Sequence, residues 1–169
     1  MKKIGSLSEL LMEELADLLD AENQLKQAMP QMIQASQSQT LRSLLENHHQ
    51  DTQEQAQRLE DIFGNINQRP KGVECKTVKG LLAEVRQTIS LASPQARDSA
   101  IINVAQRIEH YEITGYSIAR EHADDLGHTR IVELLDKTLD EERSMHLHLS
   151  ELAQGLINSQ ALDRKRVYQ

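Results

Sequence analysis

Glu22, His48, Glu112, Glu142 and His146 occupy positions where the periodicity of the chain calls for an apolar residue. In residues 101–119, an advance of about 100° per residue puts Ile101, Ala105, Ile108, Gly115 and Ala119 on one stripe, with Glu112 near its middle. Glu22 falls between Leu18 and Leu25 on a second stripe, and Glu142 lies at the centre of a third, with His146 one turn later. His48 and Thr52 interrupt a fourth, one turn apart. A carboxylate buried without a partner costs several kcal/mol, and more if it stays charged. Carboxylates and imidazoles that converge in one buried layer match a carboxylate-bridged dinuclear metal site, where divalent cations neutralise them. Imidazole among carboxylates suits iron, manganese or zinc. Glu109, one turn before Glu112 at the edge of its stripe, is a further ligand or a partner to one. The expected metal set is therefore Glu22, His48, Glu109, Glu112, Glu142 and His146, holding two Fe or Mn ions per chain.

Height along the helices supports convergence as much as face does. Glu112 and Glu142 each stand 15 residues from Gly127, where two helices turn. In an antiparallel hairpin that places them side by side. A first hairpin turning near Gln37 and Ser38 puts Glu22 about level with Thr52 and Gln53, one turn past His48. The E-x-x-H spacing of diiron sites is a poor guide here. Glu46 and His49 have it, but the helical wheel turns Glu46 roughly 120° from the stripe centre, so His48 is expected to face inward. Glu142 has Met145 at i+3 and His146 at i+4, and His146 is taken as the ligand.

Four long helices are needed to carry these residues. The first starts at Ser6, which has Glu9 in capping-box spacing, and Pro30 is expected to kink it without ending it. The second runs from about Thr40 to about Asn67. Residues 74–90 form a shorter amphipathic helix within a crossover. Ser93 and Pro94 then open the third long helix, Gly127 ends it, and the fourth begins near His128. The architecture is an all-α, antiparallel four-helix bundle over residues 1–160, with a flexible tail at 161–169.

Composition agrees and narrows the function. Apolar residues make up 38 % of 169, aromatics 2 %, and strand-length β-branched runs are missing, so a helical core is the expectation. The net charge of −7 argues against sequence-independent binding to nucleic acid or anionic membrane. A lone Cys75 fits a reducing compartment; at the start of the short helix its pKa could be lowered, but a structural thiol is the expectation. The opening residues turn acidic without an apolar core of a signal peptide, and no apolar run approaches the ~20 residues of a membrane span. The chain reads as soluble and cytoplasmic.

Several stretches together resemble the YciF/YciE family of bacterial ferritin-like stress proteins. They are residues 19–25 (LDAENQL), His48 with Thr52, 58–63 (RLEDIF), 108–112 (IEHYE), 138–142 (TLDEE), and Cys75 with Gly80 and Leu81 in the crossover. The resemblance implies a ferritin-like bundle, a homodimer, a cytoplasmic location and a link to general or osmotic stress. It assigns no reaction. Rubrerythrins and manganese catalases are relatives of ferritin, which points to redox chemistry with O₂ or peroxide as small oxidant. Two readings remain open. One is a dinuclear metalloprotein that reduces peroxide or oxidises iron. The other is a metal-free helical-bundle dimer with a structural or interaction role, in which Thr52 hydrogen-bonds Glu22. Arg107 and Arg143 flank the region and could pair with an inward glutamate instead.

Overall fold

The computed structural model describes residues 4–70 and 72–157; the predicted tail at 161–169 lies outside them. Five helices follow in order: α1 (Leu7–Ala35), α2 (Gln39–Asn65), α3 (Lys76–Leu91), α4 (Pro94–Asp125) and α5 (Thr129–Leu152), with a five-residue π-helical turn at Ala153–Ile157. Their ends follow local chemistry. Ser6 Oγ accepts from Glu9 N at 3.1 Å, and Glu9 Oε2 accepts from Gly5 N at 2.8 Å, satisfying two donors at the start of α1. The helix continues through Pro30, on whose exposed side water can reach the carbonyl left without a donor. Gly127 ends α4 at φ 74°, and the bonds His128 N to Ala123 O (2.8 Å) and Gly127 N to Asp124 O (2.9 Å) close the left-handed cap.

Each long helix buries residues in alternating steps of four and three. In α1 these are Leu11, Leu15, Leu18, Glu22, Leu25, Met29 and Met32; in α2, Leu41, Leu45, His48, Thr52, Gln55, Leu59 and Ile62. In α4 they are Ile101, Ala105, Ile108, Glu112, Gly115 and Ala119; in α5, Ile131, Leu135, Thr138, Glu142, Met145 and Leu149. This is a seven-residue repeat, the rhythm of helices that pack at a shallow angle along their length.

The stripes close a square: α1 packs on α2, α4 on α5, α1 on α4, and α2 on α5. Asp98 near the start of α4 accepts from Gln37 N (2.8 Å) and Ser38 N (2.7 Å), and further along Gly115 faces Leu18, so α4 runs back down α1. The connection from α2 to α4 therefore crosses from one end of the bundle to the other. Helix α3 lies within it, against α1 and α4. This is the expected bundle with a helix-bearing crossover. Two separate apolar clusters fill the core, one around Leu25, Leu45, Ile101 and Leu149, the other around Leu15, Leu59, Tyr116 and Leu135. The polar positions of the four stripes lie between them.

Candidate metal centre

Each long helix contributes to this middle layer because its seven-residue repeat carries a polar residue there. The exposures are 0 % for Glu22, 5 % for His48, 2 % for Glu109, 1 % for Glu112 and 0 % for Glu142. One ligand atom each from His48, Glu109, Glu112 and Glu142 lies within 4.8 Å of all the others. His48 Nε2 stands 3.2 Å from Glu109 Oε1, joining α2 to α4 across the centre of the bundle. Glu22 completes the layer from α1 and accepts a hydrogen bond from Tyr116 Oη at 2.6 Å.

A surrounding set of groups holds these side chains. Gln55 Nε2 donates to Glu142 Oε1 and also to Glu141 Oε2 at 3.1 Å. Arg58 grips Glu141 with two bonds of 3.0 Å and donates to Thr138 Oγ1. Even so, Glu22 Oε2, Glu109 Oε2, both oxygens of Glu112, Glu142 Oε2 and His48 Nδ1 are buried without a hydrogen-bond partner. Buried polar atoms are rarely left so, and an ion is one of the standard explanations for a cluster of them.

The electrostatics point the same way. Burial, then the charges of Glu22 and Glu109, hold Glu112 well above the ordinary carboxylate range. Burial, then Glu112, Glu109 and Glu22, does the same to Glu142. Burial pushes Glu22 up to about 7, against the lowering effects of the Tyr116 hydrogen bond and of His48. Burial alone would lower His48, but the charge and hydrogen bond of Glu109 and the charge of Glu22 outweigh it, and its pKa rises. The layer therefore holds protons wherever cations are not present to replace them. Carboxylates and one imidazole brought together in this way are a group that could hold a metal ion.

The family model described as "Domain of unknown function (DUF892)" matches residues 6–162. The chain belongs to the DUF892 family. Protein YciF of Escherichia coli (strain K12) is 30 % identical over 158 residues, covering 92 % of this chain and 95 % of that one. The crystal structure of the E. coli stress protein YciF superposes with a TM-score of 0.88 at 29 % identity, covering 92 % of this chain and 99 % of that one. YcfI of Rhodopseudomonas palustris is 35 % identical, with a TM-score of 0.84, over 88 % of this chain and 96 % of its own. The family resemblance read from the motifs is thus correct, and so is the bundle it implied. Among the described residues no helix is long and apolar enough to cross a membrane.

Five of the six expected site residues converge; His146 does not join them. It is half-buried, with its ring centroid 4.3 Å from that of His110, and Met145 takes the inward position. The reason is the repeat. After Glu142 the step is three, not four, because α5 keeps the seven-residue rhythm set by Leu135 and Thr138. On α2, His48 is inward and Glu46 exposed, as the wheel required.

The proposed partners of the inward glutamates need correction. Arg107 pairs with Glu84 at 2.6 Å and Arg143 with Asp140 at 3.9 Å, both on the surface. Thr52 turns its hydroxyl to Met29 Sδ at 3.6 Å and leaves Glu22 to Tyr116. The thiol of Cys75 is raised by burial rather than lowered, and sits 3.1 Å from Tyr111 Oη. Gln55, Arg58 and Tyr116 were missed. The same seven-residue count picks out Gln55, three residues after Thr52; Tyr116, one residue after a stripe glycine, carries no comparable signal in the sequence.

Proposed function

We propose that the polar layer is a dinuclear iron or manganese centre in a stress-associated protein that reduces peroxide or oxidises iron. The observation that carries the reading is the cluster of buried, unpartnered oxygens on Glu22, Glu109, Glu112 and Glu142 beside His48. Glu22, Glu112 and Glu142 would bind or bridge the ions, with His48 as a terminal ligand and Glu109 as a ligand or its orienting partner. Bound there, the ions would supply Lewis acidity and a pair of electrons. Tyr116 holds one oxygen of Glu22, Gln55 holds one of Glu142, and the apolar clusters on either side keep bulk water from the layer. The stress association rests on the kinship with YciF, a stress protein of E. coli. Cytoplasmic location, a homodimeric state and O₂ or peroxide as oxidant are part of the same proposal, and the ferritin-like resemblance supports them.

A second reading is a metal-free bundle with a structural or interaction role. It is favoured by the bonds that the layer makes within itself, Tyr116 to Glu22, Gln55 to Glu142 and His48 to Glu109. Metal analysis separates the two. After reconstitution without an affinity-tag metal, wild type should hold about two Fe or Mn per chain, and Glu112→Ala should lose most of it. Negligible metal in both proteins would sink the metalloprotein reading.

A further inference from the structure

The four sides of the bundle are not equally closed. Helix α3 covers the side between α1 and α4, whereas α2 and α5 leave between them a groove of about 530 Å³. A second hollow, lined by Thr40, Leu44, Asn47 and His148, continues it toward the α1–α2 turn. Asp51, Asp140 and Glu141 line the groove, and His48 and Met145 are buried at its floor. Arg58 neutralises Glu141, and Lys137 reaches Glu141 (3.6 Å) and Glu54 (3.7 Å) at the mouth. Asp140 meets Arg143 only at 3.9 Å, with both side chains largely exposed. His48 is shared by groove and layer. Its Nε2 lies on Glu109, while Nδ1 is buried without a partner and the ring lines the groove.

We propose that the α2–α5 groove is the route by which a hydrated divalent cation reaches the polar layer, attracted by Asp51 and Asp140 and handed inward by His48. The proposal rests on the metal reading above. Acidic side chains in a cleft raise the local concentration of cations and speed their arrival. Met145, unbranched and adaptable, is a floor residue that can shift to admit an ion.

A residue on a route differs from a ligand in its kinetic signature: it alters the rates of uptake and release and leaves the number of ions held at saturation unchanged. The test uses the metal-stripped full chain, following free Mn²⁺ by the loss of its EPR signal on mixing and the return of that signal on addition of excess Zn²⁺ as competitor. Asp51→Asn combined with Asp140→Asn should slow both processes roughly tenfold at low ionic strength, with occupancy unchanged, and the difference should shrink as salt is added. Ser144→Trp, which obstructs the groove without altering charge, should slow both at all salt concentrations. Glu84→Gln, on the α3 side, should leave them at wild-type values. Wild-type rates in both groove variants would overturn the route while leaving the metal site standing. Lost occupancy in the Asn variant would also overturn it, by making the aspartates ligands. Wild type that takes up neither Mn²⁺ nor, under anaerobic conditions, Fe²⁺ would remove the metal reading and the route together.

Discussion

Two adjacent histidines on α2 have opposite fates, and the difference is a matter of about 100° of helical rotation. His48 is buried against Glu109, while His49 is half-buried and apart from the cluster. His48→Ala should weaken metal binding, or open a polar gap in the metal-free core, whereas His49→Ala should be near neutral in both metal titration and thermal melting. Tyr116 gives a second test at this scale. Its hydroxyl is fully buried and donates at 2.6 Å to a carboxyl that has no other partner. Tyr116→Phe leaves that carboxyl unsatisfied, so the metal-free protein should lose about 1–3 kcal/mol in a denaturant titration. No loss would mean that water or a shifted side chain takes over the bond. Glu22, Glu112 and Glu142 were legible because a charged residue in an apolar stripe is conspicuous. Tyr116 was not, because a large aromatic beside the stripe reads as ordinary core, and only the three-dimensional reach of its hydroxyl shows the partner.

Helix period decided which expectations survived at the level of elements. A 3.6-residue wheel and a 3.5-residue repeat diverge slowly, and over one turn they choose different neighbours. That small difference exchanged Met145 for His146 and buried Gln55 beside Ala56. Boundaries set by side-chain chemistry, such as Ser6 with Glu9, Pro94, and Gly127, were legible to within a residue or two. The link between Asp98 and the α1–α2 turn was not, since it joins residues 60 and 61 apart in sequence. The packing of α4 on α1 depends on Gly115, where a Cβ would stand 2.9 Å from Leu18 Cδ2. Alanine gains about 1 kcal/mol over glycine within a helix, but overpacking of a tight core costs about 1–3 kcal/mol. Leu18 is itself 1 % exposed and has little room to retreat. Gly115→Ala should therefore lower the melting temperature, and an increase would show that the two helices separate freely at this height.

For the whole molecule, the polar layer makes stability depend on pH in a direction opposite to the common one. Carboxylates in salt bridges usually have lowered pKa values and stabilise a fold as pH rises. Here burial and mutual repulsion raise Glu112 and Glu142 well above the ordinary range and Glu22 to about 7. The unfolded chain releases these protons near 4.3, so between that pH and the folded values the native state binds more protons than the unfolded one. Its stability then falls as pH rises. His48, also raised, contributes stability that is complete below its unfolded value near 6.5 and lost as pH rises through the folded one. All four groups have the same sign, so the metal-free protein should melt at progressively lower temperature from about pH 5 to pH 8. Replacing Glu22, Glu112 and Glu142 together by glutamine fixes them in a neutral form. That variant should fold, match or exceed the wild-type melting temperature at pH 8, and show a much flatter profile. Metal should act in the reverse sense, because ions displace these protons and bind more tightly as pH rises. Adding Mn²⁺ or Fe²⁺ should thus raise the melting temperature more at pH 8 than at pH 6, and only in the chain that retains the carboxylates. Parallel pH profiles for wild type and the triple variant would show that the layer is already neutralised by groups of the protein itself.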